Sequence, residues 1–255
     1  MDAIAAWFAQ LRWGSMADML IVAAAAVLCI TLHETCHGLA ALALGDPTAK
    51  KMGRLSLNPL KHVDPMGLVL LMVAKVGWAK PVPVDARRFK DPRLGMAVVA
   101  IAGPLSNVLL SAVAAAGYTV SIFFAAYREI PALELLADFF YYVFFISAGL
   151  AVFNLLPLPP LDGSKVVFAF LPRELYWKLM RYERYGMILL MVLLLTGMLD
   201  VPLNYLRGGL TEFLMPISDG VFDLLYALFV RCSHDRPQIP ARRHRPHQDG
   251  GDGGL

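Results

Sequence analysis

Apolar residues run through this chain in long blocks, and the polar positions that interrupt them are few enough to be read one by one. Met19 to Leu44 is apolar except for a cluster of titratable side chains toward its end. Leu94 to Tyr127 holds 34 residues without a charge, and Phe139 to Leu161 holds 23, closed by Asp162. A helix needs about 20 such residues to cross a bilayer, so each block predicts a transmembrane helix. Gly103-Pro104 offers the second of these a place to kink. Tyr185 to Leu199, carried past Asp200, predicts a fourth span, and Phe213 to Val230, interrupted by Asp219 and Asp223, a fifth. Met66 to Trp78 is apolar but too short to cross and carries Lys75, a pattern that fits a re-entrant or β-hairpin segment. The expected fold class is an all-α polytopic membrane protein.

Composition agrees with the pattern. The 255 residues are 58% hydrophobic and 17% charged, and a mean hydropathy of +0.57 lies outside the range of soluble domains. The environment is therefore the lipid bilayer. A net charge of +3 implies no nucleic-acid partner. Cys29, Cys36 and Cys232 are odd in number and form no CxxC pair, which excludes a disulfide framework. The N-terminal "AIAAWFAQLRW" reads as interfacial, and without a basic cluster before it a cleaved signal peptide is not expected. Residues 1–230 read as one membrane-embedded domain. Residues 231–255, rich in Pro, Gly and charge, read as a disordered cytoplasmic tail in spite of His244 and His247.

Charge placement supplies an orientation. With five spans, the segments 45–93, 162–184 and 231–255 share one side and collect 20 of the 23 lysines and arginines. The positive-inside rule makes that side cytoplasmic, with the N-terminus outside and the C-terminus inside. His33 then lies about 14 residues into its helix, roughly 21 Å down at about 1.5 Å per residue. Asp162 closes the third span at a similar depth.

"HETCH", His33 to His37, is HExxH. On a helix, residues i and i+4 share a face, so both imidazoles can bind one metal ion, and Glu34 can serve a bound water as general base. Ionisable side chains inside a span are functional by default, because the bilayer disfavours each of them. Catalytic zinc usually has three protein ligands and a water, so one ligand is missing from HExxH. Asp162 is the first candidate and His62 the competitor. Cys36 reads as a small helix residue, and His62 and Asp64 as loop structure. Asn107 in "AGPLSN" suits the catalytic cleft and close helix packing equally.

"HETCHG", "GDPTAK", "MGRLSLNPLKHVDPMG", "GWAKPVPV", "AGPLSN" and "NLLPLPPLDG" together resemble the site-2 protease family of intramembrane zinc metalloproteases, in the compact form without PDZ or CBS domains. The resemblance covers roughly His33 to Lys165. It implies a three-helix core within about 19–165, with HExxH on the first helix and the aspartate on the third. It implies one zinc ion per chain held by His33, His37 and Asp162, with Glu34 as catalytic acid and base. Asn154 matches the asparagine of the family's NPDG-type motif, and its amide is expected to donate to the substrate backbone or the developing oxyanion. The implied substrate is a transmembrane protein.

Such a substrate must unwind locally before its amides can be reached. In "GWAKPVPVD" the prolines at 81 and 83 lack N–H groups, so an extended strand there is expected to pair on one side only, through Val82 and Val84. Strand addition is the expected mode of holding substrate. Two other classes compete. A transporter would show repeats that this chain lacks, whereas an inert membrane scaffold retaining the motif is separated only by activity.

Overall fold

The first apolar block folds as a single long helix, α1 (Met16–Ala43), in a computed structural model that describes residues 16–62, 64 and 80–231. Val22, Ala25, Ala26, Cys29, His33, His37 and Ala41 are buried along it. Their spacing of three or four places them on one stripe facing the rest of the bundle. Gly45, at φ 101°, ends the helix in a conformation other residues avoid. A single turn, α2 (Thr48–Lys51), follows, then a 3-10 turn at Pro59–Lys61.

The second block becomes α3 (Pro92–Arg128), started by Asp91, whose Oδ1 accepts from the N–H groups of Arg93 and Leu94 at 2.9 and 3.2 Å. Pro92 occupies the first helical turn, where a missing N–H has no consequence. Glu129 then takes a left-handed conformation, and Pro131 opens α4 (Pro131–Asn154). Two residues therefore connect the two helices as an antiparallel hairpin.

Helices α1, α3 and α4 pack on one another. Val22, Ala25, Ala26 and Cys29 of α1 meet Ala114 of α3 and Tyr142, Val143, Phe145 and Ile146 of α4. Small residues on α1 and α3 let the backbones approach, the usual solution where water drives nothing apart from lipid. The hydroxyls of Ser111 and Ser147 both donate to the carbonyl of Asn107, at 2.8 and 2.9 Å, tying α4 to α3 at that level. Leu20, Leu105, Leu109 and Val113 are exposed on the outer faces, as lipid contact requires.

The third block departs from expectation at its end. Helix α4 stops at Asn154, eight residues before Asp162, because Pro157, Pro159 and Pro160 cannot continue it. The chain turns through Leu155–Leu161 and resumes as α5 (Asp162–Ala169), packed against α3. Next come α6 (Arg173–Tyr182), α7 (Gly186–Leu195) and α8 (Asp200–Leu225), the last running on into a π-helical turn at Tyr226–Arg231.

The expected fourth span, Tyr185 to Leu199, is corrected here. It yields only the 10-residue α7, about 15 Å long and half of what a bilayer core requires. Gly197, at φ 72°, turns the chain after it, and a new helix starts at Asp200. Among the described residues, four helical stretches have the length and apolar character to cross: α1, α3, α4 and Asp200–Val230. The last absorbs the expected fifth span together with Asp219 and Asp223. No strand forms among the described residues. The N-terminal interfacial segment, the re-entrant segment at 66–78 and the tail at 232–255 lie outside them.

The chain is a multi-pass all-α membrane protein, and the hairpin fixes a testable relation. Lys90 and Ile130, both exposed, flank the two ends of α3. In sealed vesicles lacking other reactive thiols, Lys90→Cys and Ile130→Cys should be labelled by an impermeant maleimide from opposite sides. Labelling of both from one side would contradict the crossing of α3.

Candidate metal centre

Three side chains from two distant segments converge inside the bundle. His33 and His37 come from one face of α1, and Asp162 is the first residue of α5. The two Nε2 atoms are 3.0 Å apart. Asp162 Oδ2 lies 3.3 Å from that of His33 and 3.2 Å from that of His37. Among the described residues this is the group of three whose donor atoms could share one metal ion.

The chemistry of the donors fits a cation. His37 Nδ1 sits 2.7 Å from the carbonyl of Val99, an acceptor, so Nδ1 carries the proton and Nε2 presents its lone pair. That lone pair faces a carboxylate oxygen and a second imidazole nitrogen, an arrangement of acceptors that a positive ion satisfies. A tetrahedral zinc with bonds of about 2.0–2.2 Å holds its ligand atoms about 3.3–3.6 Å apart. The observed edges of 3.0, 3.2 and 3.3 Å are that triangle drawn slightly inward. Asp162 Oδ1 points elsewhere, 3.8 Å from Lys165 Nζ.

Helix α3 supplies the floor. A Cβ on Gly103 would lie 2.4 Å from His37 Nε2 and 2.7 Å from His33 Cε1, so only glycine allows the imidazoles to press against this helix. One turn on, fully buried Asn107 places Nδ2 3.1 Å from His33 Nδ1. The Asn107 side chain thus meets His33, while its carbonyl accepts from Ser147 of α4, a contact between packed helices.

Residues 80–85 cross the other side of the cluster without regular secondary structure. Val82 donates its N–H to Glu34 Oε2 at 2.9 Å, so the expectation that this N–H faces an incoming strand is corrected. The partly buried Glu34 carboxylate on α1 takes the donor instead. Lys80 donates to the carbonyl of His62 at 2.8 Å, and Arg54 reaches the carbonyls of Lys80 and Pro81 at 2.7 and 3.2 Å.

The remaining expected residues fall as follows. His62 is fully buried and its Nε2 is 2.6 Å from the carbonyl of Ser56, which also accepts from the Thr35 hydroxyl. That nitrogen is committed to the loop, and neither His62 nor Cys36 joins the three-residue group. Asn154, partly buried, turns back on its own helix, Nδ2 donating to the carbonyl of Leu150 at 3.0 Å. His244 and His247 lie outside the described residues.

Sequence reasoning missed Gly103, whose spacing of four from Asn107 matches that of His33 and His37. It also missed Asp46, which is fully buried. Asp46 accepts from the N–H and hydroxyl of Thr48 and, at 2.7 Å, from the N–H of Asp85, with Arg88 Nε 3.4 Å away. It thereby fastens residues 80–85 to the end of α1. Burial pushes its pKa up, but the Thr48 hydroxyl and the two backbone N–H groups outweigh that, and the carboxyl stays below its ordinary value.

Because the folded-state value is the lower one, ionised Asp46 adds stability above about pH 4, its unfolded-chain value. That stability is lost as pH falls through the folded value. Asp46→Asn should cost about 1–3 kcal/mol, read as a lower melting temperature. Trypsin should cut faster at the exposed Arg87 and Arg88, and unchanged cutting would show that the fastening is not needed.

Known proteins place these features in context. The sequence profile described as peptidase family M50 matches residues 117–198. The chain is 42% identical over 177 residues to the "Putative zinc metalloprotease YwhC" of Bacillus subtilis (strain 168), covering 67% of this chain and 78% of that protein. It is 31% identical over 185 residues to the "Putative zinc metalloprotease Rip2" of Mycolicibacterium smegmatis, covering 71% of this chain and 69% of that protein. A protein of the same name from Mycobacterium tuberculosis (strain H37Rv) is 27% identical over 187 residues, with the same two coverages. No solved structure gives a significant match.

Proposed function

The chain belongs to peptidase family M50, the site-2 proteases, and on that premise we propose that it is a zinc-dependent endopeptidase that hydrolyses peptide bonds within or near the transmembrane segments of membrane-protein substrates. The observation that carries this reading is the triangle of His33, His37 and Asp162 donor atoms, with edges of 3.0–3.3 Å, on the helix that also bears Glu34.

His33 and His37 through Nε2, and Asp162 through Oδ2, would hold one zinc ion. Bound there, zinc supplies Lewis acidity toward water and toward the scissile carbonyl. The Glu34 carboxylate accepts the proton of the attacking water and later delivers it to the leaving amide nitrogen. The N–H of Val82 holds Glu34 Oε2 in place, leaving Oε1 as the oxygen that handles the proton. Asn154 has a second N–H on Nδ2 beyond the one given to Leu150. It donates that hydrogen bond to the substrate backbone or the developing oxyanion.

Residues 1–230 act as a single membrane-embedded domain. The loop that bears Lys50, Lys51, Arg54, Lys61, Arg87 and Arg88 faces the cytoplasm, by the positive-inside rule. The N-terminus lies opposite. An incoming helix has its amides bonded internally, so it unwinds locally before Glu34 can act on it.

Zinc analysis of detergent-purified protein should find one equivalent in the wild type and little in His33→Ala or Asp162→Ala. Glu34→Gln should keep its zinc while cleavage falls at least about 100-fold, followed by mass spectrometry of host membrane proteins. Full occupancy in Asp162→Ala would move the third ligand elsewhere, and retained cleavage in Glu34→Gln would remove its catalytic role. Zinc binding with no cleavage of any membrane protein would favour an inert scaffold.

A further inference from the structure

Asn107 meets His33 with the wrong partner for a metal ligand. A histidine that gives its Nε2 lone pair to a metal carries its proton on Nδ1, and that N–H requires an acceptor. His37 has one, the carbonyl of Val99 at 2.7 Å. His33 Nδ1 instead faces the side-chain nitrogen of Asn107 at 3.1 Å, a donor, while Asn107 Oδ1 is buried with no hydrogen-bond partner in the protein. An orphaned buried acceptor beside a donor-to-donor contact has one simple remedy. The oxygen and nitrogen of an amide are nearly equal in shape, and a half-turn about the last side-chain bond exchanges them.

We propose that Asn107 accepts the Nδ1–H of His33 through Oδ1 and so holds His33 in the tautomer and ring orientation that present Nε2 to the metal. Asn107 is thus a positioning residue for the metal centre, and the inference rests on the zinc reading given above. Its own placement is firm. The side chain is fully buried on α3, one turn beyond Gly103, against which both imidazoles press. The carbonyl of the same residue accepts from Ser111 on α3 and Ser147 on α4. Two helices therefore fix Asn107 through its backbone, leaving its side chain to serve the histidine from the third. Outer-shell partners of this kind typically change metal affinity 10- to 100-fold when removed.

Replacements of Asn107 separate an acceptor from a donor. Asn107→Asp keeps an acceptor and has no N–H; Asn107→Leu keeps the bulk and has neither. Neither touches the backbone carbonyl that Ser111 and Ser147 share. Zinc affinity is measured by chelator competition on detergent-purified protein, with the melting temperature of each metal-free form recorded beside it. The expected result is an affinity roughly 10- to 100-fold weaker for Asn107→Leu and close to wild type for Asn107→Asp. Should the leucine form fail to fold, Asn107→Ala takes its place in the same comparison. Wild-type affinity in the leucine or alanine form would overturn the proposal. An aspartate form as weak as the leucine form would do the same, since the group needed would then be the N–H. Failure of the wild type itself to bind zinc would overturn the metal reading beneath it.

Discussion

An apolar bundle cannot hydrate an ionisable side chain, so every polar atom carried into it must find its partner in the protein. Around His33, His37 and Asp162 that requirement organises the surroundings. The carbonyl of Val99 takes one imidazole N–H, the Asn107 amide meets the other imidazole, and the Val82 N–H meets Glu34. The three remaining donor atoms point at one another across 3.0–3.3 Å, an arrangement that one metal ion could share. Gly103 is part of the same arrangement, because any side chain there would displace the rings.

The helices and the loops divide this work. Helices α1, α3 and α4 pack through small residues and tie their backbones together with serine hydroxyls, giving the rigid frame on which ligand atoms can be held to within tenths of an ångström. The loops bring the backbone donors that a continuous helix cannot offer, since its own amides are already bonded. Residues 80–85 are the main example. They are fixed at one end by His62 and Arg54 and at the other by Asp46, so the N–H that reaches Glu34 comes from a fastened segment.

The departures from expectation share a cause. Apolar blocks announce that a segment is shielded from water but say little about where the backbone turns. The prolines after Asn154 end α4 early, and Gly197 turns the chain after α7, so the stretch expected to cross as Tyr185–Leu199 gives a 10-residue helix. Val82 was legible as a donor flanked by two prolines; its partner was not, because Glu34 lies 48 residues away.

Sequence alone determined the membrane environment, the three long helices of the core and the pairing of His33 with His37. Each depends on local quantities: the absence of charge over a span's length, and the 3.6-residue period that aligns positions four apart. Sequence also made Asp162 the leading third ligand, with His62 beside it. Tertiary structure brought Asp162 into the histidine pair and committed His62 Nε2 to the carbonyl of Ser56. It alone set Asn107 against His33, Val82 against Glu34 and Asp46 beneath the loop. Those contacts join residues 39 to 74 positions apart, and no local period encodes them; only the packing of α3 against α1 and the folding back of the loop decide which donor meets which acceptor.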